Sequence, residues 1–437
     1  MGSHVKIFTY GCQMNDLDTQ KMFSELARGG MVRTEDTREA DVIIINTCSV
    51  RQKAYEKTLS NLGRLSSLKK RNPGLIIVVA GCVAQQEGAA LVERMPHVDL
   101  VIGTHQLHRI RELIEKASRE PAPIVVTDFS DAIPFMDLIP DGDFVTPGHR
   151  ASINIMQGCN NFCSYCIVPY VRGRELSRDA SRIIEEVQIH ASRGVKEVFL
   201  LGQNVNSFDG GMSFPGLLRE IDAIEGIERI RFTTSHPKDV SEELIACFGS
   251  LKTLCSHLHL PFQAGSNRVL KAMNRHYTKE RYLDLIERLR QARPDIAFSA
   301  DVMVGFPGET HEDFLQTLDI MERVRFDVLY SFRYSTRPGT RAASRLDDVP
   351  FEEKSERLYE LQRRQKEITL ENNRMRVGTC LDVLVDSVGT RCPGQVRGRS
   401  THNTVVNLPG DESLVGTIVQ VLVTRANANS LTGELAS

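Results

Sequence analysis

Apolar and polar positions alternate differently in different parts of the chain. Residues 4–118 contain three apolar runs, HVKIFTY, DVIIINT and GLIIVVAG, separated by segments with helical spacing such as Asp16–Ala27 and Gln52–Lys70. This alternation predicts a small parallel α/β domain, because helices join parallel strands and cover both faces of their sheet. A cysteine stands within two residues after the end of each of the three predicted strands.

The segment 119–150 holds five prolines and little periodicity, which predicts a linker. From residue 151 the alternation resumes with six candidate strands, SINIMQ, EVFLLGQN, RIRFTTS, HLHLPFQ, AFSADVMVGFP and DVLYSFRYS. A helical segment follows each of the first five. Six successive βα units predict an open, partial barrel whose site lies at the carboxyl ends of its strands. The charged amphipathic helix Phe351–Met375 closes this region, which spans 151–375.

The tail, 376–437, has a third pattern. Short apolar runs separated by glycine turns, TCLDVLVDSVG, GQVRGRS, NTVVNLP and GTIVQVLVTRAN, predict a small all-β barrel. The predicted fold class is therefore α/β: a parallel N-terminal domain, a partial barrel of six βα units and a small C-terminal β-barrel.

Composition narrows the class of protein. Hydrophobic residues make up 41% and charged residues 25% of the 437 positions, as in ordinary globular proteins. No apolar run approaches the ~18 residues that span a bilayer, and no secretion signal is visible, so we expect a cytoplasmic protein without a membrane partner. The net charge of −2 gives no overall signature of nucleic-acid binding, although a local basic patch remains possible.

Ten cysteines in such a chain predict metal binding or catalysis rather than a disulfide framework. Cys159, Cys163 and Cys166 follow the first barrel strand with the spacing C-x3-C-x2-C. Zinc is the nearest alternative, but a structural zinc site needs four ligands, and no second pair of cysteines lies nearby. Three thiolates favour a four-iron cluster with one iron left open.

A second group consists of the cysteines that end the three N-terminal strands, Cys12, Cys48 and Cys82. The carboxyl ends of neighbouring parallel strands meet at one edge of a sheet, so these distant residues are expected to converge. Alternatively, they are small buried apolar residues. Their common position favours a second three-cysteine site.

C-x3-C-x2-C after the first strand of a six-unit βα barrel resembles the radical S-adenosylmethionine superfamily. Two such cysteine groups followed by a small β-barrel resemble its methylthiotransferase family, over nearly the whole chain. The segments IVPYVRGRELSR, LLGQNVN, LPFQAGSNRVLKAMNR, DVMVGFPGET and FRYSTRPGTRAA resemble the members that modify isopentenylated tRNA. The resemblance implies a methylthiotransferase domain at 4–118, a radical core at 151–375 and an RNA-binding TRAM domain at 376–437.

The same resemblance implies the activity and its cofactors. The expected reaction converts the C2–H bond of N6-isopentenyladenosine at position 37 of tRNA into C–S–CH3. Because that carbon carries no acidic proton, radical chemistry supplied by a cofactor suits it. Two [4Fe-4S] clusters, S-adenosylmethionine and an electron donor are implied, and we expect a monomer. The alternatives are methylthiolation of threonylcarbamoyl-adenosine in tRNA and a non-catalytic iron–sulfur protein that binds tRNA.

Candidate contacts follow from the resemblance as well. Side chains expected near S-adenosylmethionine are Tyr165, Gln203, Asn204, Ser235, His236, Gln263, Val304 and Gly305. Each could instead be a core residue or an ordinary polar residue at a strand end. Arginines expected to hold tRNA phosphates, or else to be solvated surface residues, are Arg172, Arg174, Arg178, Arg182, Arg391, Arg397 and Arg399.

Overall fold

A computed structural model describes residues 3–49, 52–130, 133, 137–139, 148–389 and 394–436. Arg391 and much of the segment predicted as a linker lie outside these ranges. Among the described helices, none is both long and apolar enough to cross a bilayer.

The N-terminal region is one parallel sheet with the strand order β2-β1-β3-β4-β5-β6. Its strands are β1 (His4–Tyr10), β2 (Val32–Arg33), β3 (Val42–Thr47), β4 (Ile76–Gly81), β5 (Leu100–Ile102) and β6 (Ile124–Val126). Its helices are α1 (Gln13–Arg28), α2 (Gln52–Arg71), α3 (Cys82–Glu87), α4 (Ala89–Arg94) and α5 (Ile110–Ala117). One face packs on α1 and α5 and the other on α2, α3 and α4. Both faces are therefore buried, which explains the unbroken apolar runs of β3 and β4.

The sequence predicted three of these six strands. The strands β2, β5 and β6 have only two or three residues, too few for a visible periodicity. The strand β6 lies within the segment predicted as a linker and pairs with β5, so the N-terminal sheet extends beyond residue 118.

The central region is an open barrel of six parallel strands, in agreement with the predicted six units. The strands are β7 (Arg150–Asn154), β10 (Glu197–Leu201), β11 (Arg229–Phe232), β12 (His257–His259), β13 (Ala297–Val304) and β14 (Val328–Arg333). They form two three-stranded sheets joined by a parallel bridge between Ile230 and Leu254. A small hairpin of β8 (Met156–Gln157) and β9 (Leu176–Ser177) follows the first strand. The helices are α6 (Val168–Val171), α7 (Ala180–Ser192), α8 (Phe214–Asp222), α9 (Glu242–Ser250), α10 (Asn267–Ala272), α11 (Lys279–Ala292), α12 (His311–Val324) and α13 (Phe351–Met375).

The tail is a closed five-stranded barrel with the order β15-β16-β17-β19-β18. Its strands are β15 (Cys380–Val388), β16 (Gln395–Ser400), β17 (Val405–Pro409), β18 (Ile418–Ala426) and β19 (Leu431–Leu435). The last strand was not predicted. The small barrel packs against the amino ends of the core strands, where Arg231 donates to the carbonyl of Ser400 at 2.5 Å and Arg150 pairs with Asp386 at 3.1 Å. The carboxyl ends of the core strands lie at the opposite end.

Candidate functional site

The three N-terminal cysteines lie at one edge of their sheet. Tyr10, Thr47 and Gly81 are paired across β1, β3 and β4, and each cysteine follows one of these strand ends. The backbone N–H of Cys48 donates to the carbonyl of Tyr10 at 2.9 Å. Gly81 has a φ of +87°, and a side chain there would clash with Asn46, so the turn into Cys82 requires glycine.

The charge of Arg172 favours the thiolate form of two of these cysteines, Cys12 and Cys82. A hydrogen bond with Cys48 lowers the pKa of Cys12 to about 6, against the burial that raises it, and the charge of Arg172 lowers it further. Burial raises the pKa of Cys82, while Arg172 again opposes the rise. Because thiolate is the form that binds metals, the positive charge prepares this group for ligation.

The second group, Cys159, Cys163 and Cys166, occupies the loop between β8 and β9. The N–H of Cys166 donates to the carbonyl of Cys163 at 2.9 Å, and the N–H of Cys159 donates to Gly173 at 3.2 Å. These bonds fold the loop on itself. Burial raises the pKa of Cys159 to about 11 and that of Cys166 to about 12, so metal binding here must release protons.

Each group offers three cysteine thiols, a donor type that iron–sulfur clusters use. Within the described ranges, no three His, Cys, Asp or Glu side chains are close enough to hold one metal ion. A four-iron cluster attaches each thiolate to a different iron, so its ligands stand farther apart than those of one zinc ion. Three cysteines in each group leave one iron of such a cluster without a protein ligand.

Several buried polar atoms lie around the carboxyl ends of the barrel strands. Those without a hydrogen-bond partner among the described residues are Asn154 Oδ1, Gln157 Nε2, Asn204 Oδ1, Ser235 Oγ and His236 Nε2. A buried polar group without a partner costs about 1–3 kcal/mol. These atoms therefore fit a ligand rich in hydrogen-bonding groups, such as the amino acid and nucleoside parts of S-adenosylmethionine.

The other residues predicted to contact the cofactor differ in their hydrogen-bond partners, backbone conformation and packing. Gln203 accepts a hydrogen bond from the N–H of Gly158 at 2.6 Å and so supports the cysteine loop. Asn204 donates to Asp239 at 2.8 Å. Gln263 has a left-handed backbone, with φ of +65°. Tyr165 packs beside an apolar cluster that contains Phe306 and Met273 and is also bordered by Met303. The Val304 side chain is buried in the main core, and its carbonyl accepts a hydrogen bond from the N–H of Tyr334 at 2.9 Å.

The arginines predicted to bind phosphate separate into buried and exposed ones. Arg172 is only 3% exposed and pairs with Asp18 at 2.6 Å, so the prediction that it contacts tRNA phosphate is wrong for this position. Arg178 is also buried, with Glu186 at 2.6 Å. Arg174 is exposed and lies over the ring of Phe162, with 5.7 Å to its centroid.

In the tail, Arg397 is exposed and lies 3.8 Å from Asp386, while Arg399 is half-buried and donates to the carbonyl of Asn403. Arg182 is exposed beside Glu185. The arginines that remain accessible to phosphate are therefore Arg174, Arg182 and Arg397, with Arg399 partly so.

Sequence reasoning missed Arg275. Its side chain is 4% exposed, and it donates to Cys163 Sγ at 3.5 Å and to the carbonyl of Pro261 at 2.8 Å. It lies within the segment LPFQAGSNRVLKAMNR, but no local pattern marks it as a neighbour of a cysteine 112 positions earlier. Each cysteine group thus has one buried arginine that donates a hydrogen bond to a cysteine sulfur.

Three family models match consecutive parts of the chain. Residues 4–103 match Uncharacterized protein family UPF0004, residues 153–321 match the Radical SAM superfamily, and residues 374–436 match the TRAM domain. Two similar relatives are described as tRNA-2-methylthio-N(6)-dimethylallyladenosine synthases. The one from Geotalea uraniireducens is 52% identical, over 98% of this chain and 97% of its own length. The one from Geobacter metallireducens is also 52% identical, over 98% of both chains.

Solved structures agree on the fold. The radical S-adenosylmethionine methyltransferase TsrM from Kitasatospora setae, with cobalamin and a [4Fe-4S] cluster bound, has a TM-score of 0.58 at 13% identity. The match covers 91% of this chain and 81% of TsrM. The cobalamin-dependent S-adenosylmethionine radical enzyme OxsB gives 0.55 at 13% identity, over 78% of this chain and 55% of OxsB.

Proposed function

The chain belongs to the tRNA-2-methylthio-N(6)-dimethylallyladenosine synthase family, and on that premise we propose its reaction and the roles of its residues. It is a radical S-adenosylmethionine methylthiotransferase that adds a methylthio group to C2 of N6-isopentenyladenosine (the dimethylallyl nucleoside) at position 37 of tRNA. The presence of two three-cysteine groups in one chain is the observation that supports the proposal most, because one transfer needs both a radical source and a sulfur donor.

The radical site takes Cys159, Cys163 and Cys166 as cluster ligands. The cluster and S-adenosylmethionine, when bound there, supply the 5′-deoxyadenosyl radical that a non-acidic C–H bond requires. The protein's own contribution is positional: Gln203 holds the cysteine loop through Gly158, and Arg275 donates to Cys163. The unpartnered polar atoms of Ser235 and His236 are suited to orient the nucleoside.

The N-terminal site takes Cys12, Cys48 and Cys82 as ligands of a second cluster, which serves the sulfur-donating half of the reaction. Support comes from the low pKa of Cys12 and from the shared sheet edge. The relatives do not favour the threonylcarbamoyl alternative, and two cysteine groups beside one barrel are not needed by a protein that only binds tRNA. We further propose that an external electron donor serves the radical site and that the chain acts as a monomer.

The prenylated base needs an apolar surface near the radical site, and β14 provides one. Across the β13–β14 pair, Asp301 is opposite Tyr330 and Met303 is opposite Phe332, so these side chains share a face. On the other face of β14, Ser331 and Arg333 make hydrogen bonds to side chains of α13, which leaves the face of Tyr330 and Phe332 in the barrel interior. Tyr330 is 51% and Phe332 46% exposed, unusual for large rings inside a barrel.

This aromatic face lies close to the radical site, since Met303 borders the same apolar cluster as Tyr165. The ring of Tyr330 lies 6.1 Å from that of His259, which extends the surface to β12. RNA-modifying proteins stack extruded bases on aromatic side chains. We therefore assign Tyr330 and Phe332 to the isopentenyladenine of the substrate.

Mass spectrometry of nucleosides tests the function directly. Anaerobically reconstituted protein, S-adenosylmethionine and a chemical reductant are incubated with anticodon stem–loops that carry isopentenyladenosine, adenosine or threonylcarbamoyl-adenosine. We expect a methylthio product from the isopentenylated RNA alone. Efficient reaction of the threonylcarbamoylated RNA would assign the chain to the sibling activity, and cleavage of no S-adenosylmethionine at all would remove the enzymatic function.

A further inference from the structure

We propose that Arg172, a residue of the radical core, completes the N-terminal cysteine site and sets the reduction potential of the cluster held there. The inference deepens the proposed function, on which it rests, by assigning a positioning residue to the sulfur-donating site. It also gives a role to a buried arginine that belongs to one domain while its charged group lies in the other.

The guanidinium of Arg172 makes two contacts with the N-terminal domain. Its Nε donates to Cys82 Sγ at 3.3 Å, and its Nη2 donates to Asp18 Oδ2 at 2.6 Å. Its Nη1 is buried and has no hydrogen-bond partner among the described residues. The ion pair with Asp18 fixes the plane of the guanidinium, which leaves one donor on the sulfur and one free donor beside the cysteine group.

The main chain holds Arg172 in this place independently of its side chain. Thr104 Oγ1 donates to the carbonyl of Val171 at 2.6 Å, and His105 Nε2 lies 2.9 Å from the carbonyl of Arg172. Gly173 has a φ of +82°, and a side chain there would press against His105. A substitution of the Arg172 side chain therefore leaves the docking of this turn largely in place.

The same turn connects the two sites. The helix α6 runs from the loop of Cys163 and Cys166 to Arg172, and Ile167 and Val171 pack directly on Cys82. The segment that carries the radical-site ligands thus also delivers a positive charge to the other cysteine group. Hydrogen bonds to ligand sulfurs and nearby positive charge both raise the reduction potential of an iron–sulfur cluster, because they stabilise the more negative reduced form.

Arg275 offers a matched control. It is equally buried, and in the native chain it donates to Cys163 of the radical site. When alanine replaces Cys163, Arg275 remains a buried arginine of the radical core that is bonded to the carbonyl of Pro261. If Arg172 acts through its bond to Cys82, its replacement should change only the N-terminal cluster. If buried arginines simply stabilise the fold, replacement of either should have the same general effect.

The experiment isolates the N-terminal cluster in the full chain with Cys159, Cys163 and Cys166 replaced by alanine. Into this parent we introduce Arg172→Met, Arg172→Lys or Arg275→Met, and measure iron, sulfide and the midpoint potential by anaerobic redox titration followed by electron paramagnetic resonance. We expect about four irons per chain in the parent, a lower midpoint potential with Arg172→Met, an intermediate value with Arg172→Lys, and no change with Arg275→Met.

The remaining outcomes test either the role of Arg172 or the presence of the second cluster. Midpoint potentials of Arg172→Met and Arg172→Lys equal to that of the parent would overturn the inference. Loss of iron with Arg172→Met, while Arg172→Lys retains a cluster of lowered potential, would support it. An equal shift with Arg275→Met would also overturn it, since that residue contacts the other site. A parent without iron would instead contradict the second cluster of the proposed function.

Discussion

Lys21 of α1 is 1% exposed and lies among charged groups from both the N-terminal domain and the radical core. Burial lowers its pKa from 10.5 to about 8, while the charges of Glu186 and Asp18 act in the opposite direction and Arg178 adds to the lowering. A single buried charge of this kind makes the stability of the domain contact depend on pH in a predictable direction.

The pKa of Lys21 is lower in the folded than in the unfolded chain, so its charge destabilises the fold below about pH 8. Between about pH 8 and pH 10.5 the unfolded chain holds more protons, and stability should rise, by about 3 kcal/mol in total. The Lys21→Met variant should lack this rise. Denaturant unfolding of both proteins at pH 7.5 and pH 10 measures it. Parallel changes in the two proteins would contradict the assignment.

Phe332 tests the aromatic face of β14. Phe332→Ala should raise the KM for the isopentenylated stem–loop roughly 5- to 150-fold, since stacking on one base contributes about 1–3 kcal/mol. Cleavage of S-adenosylmethionine without RNA should stay unchanged. The control is Tyr359→Ala, which removes an aromatic residue exposed on the outer surface of α13. Equal KM values for the two variants would remove β14 from the substrate site.

At the scale of elements, the small β-barrel is also a structural cap on the radical core. Arg229 donates to the carbonyls of Arg399 and Asp382, at 2.7 and 2.9 Å, and both Arg229 and its neighbour Arg231 are buried beneath the barrel. Glu197 pairs with Arg231 at 2.8 Å on the core side. The amino ends of the core strands therefore depend on the tail for hydrogen-bond acceptors.

Deletion of residues 377–437 should consequently destabilise the core, in addition to any effect on RNA binding. We expect the melting temperature to fall by several degrees, because each kcal/mol corresponds to about 2–4 °C in a domain of this size. Differential scanning calorimetry of the truncated and full-length proteins gives the answer. Arg397→Ala, on the exposed surface of the tail, should weaken tRNA binding without this thermal effect. An unchanged melting temperature after truncation would show that the cap is dispensable.

On the scale of the whole molecule, the two cysteine groups lie in separate domains. Removal of one group should therefore affect different reaction products from removal of the other. With Cys12, Cys48 and Cys82 replaced by alanine, the radical site keeps all its ligands, so 5′-deoxyadenosine should form without methylthio product on isopentenylated tRNA. Replacement of Cys159, Cys163 and Cys166 should abolish both products. Chromatography of the nucleosides after anaerobic reaction measures both. A normal methylthio yield from the N-terminal variant would contradict the sulfur-donor role.

The sequence alone determined those features of this protein, mainly its helices, strands and their order, that depend on residues close together along the chain. The six βα units, the boundaries of α13 and the common strand-end position of Cys12, Cys48 and Cys82 all follow from local periodicity, because strands and helices impose repeats of two and 3.6 residues. The short strands β2, β5 and β6 of the N-terminal sheet show no clear repeat and were missed, as was β19, which follows the last predicted strand.

Only the tertiary structure decided the environments of the charged residues. Arg172 and Cys82 are 90 positions apart, and Arg275 and Cys163 are 112 apart. A charge pattern along the chain cannot distinguish a solvated arginine from a buried one, so Arg172 resembled a phosphate contact. Its burial, its pairing with Asp18 and its bond to a cysteine sulfur arise from the packing of two domains, since desolvation and Coulomb interactions depend on distances in space and not along the sequence.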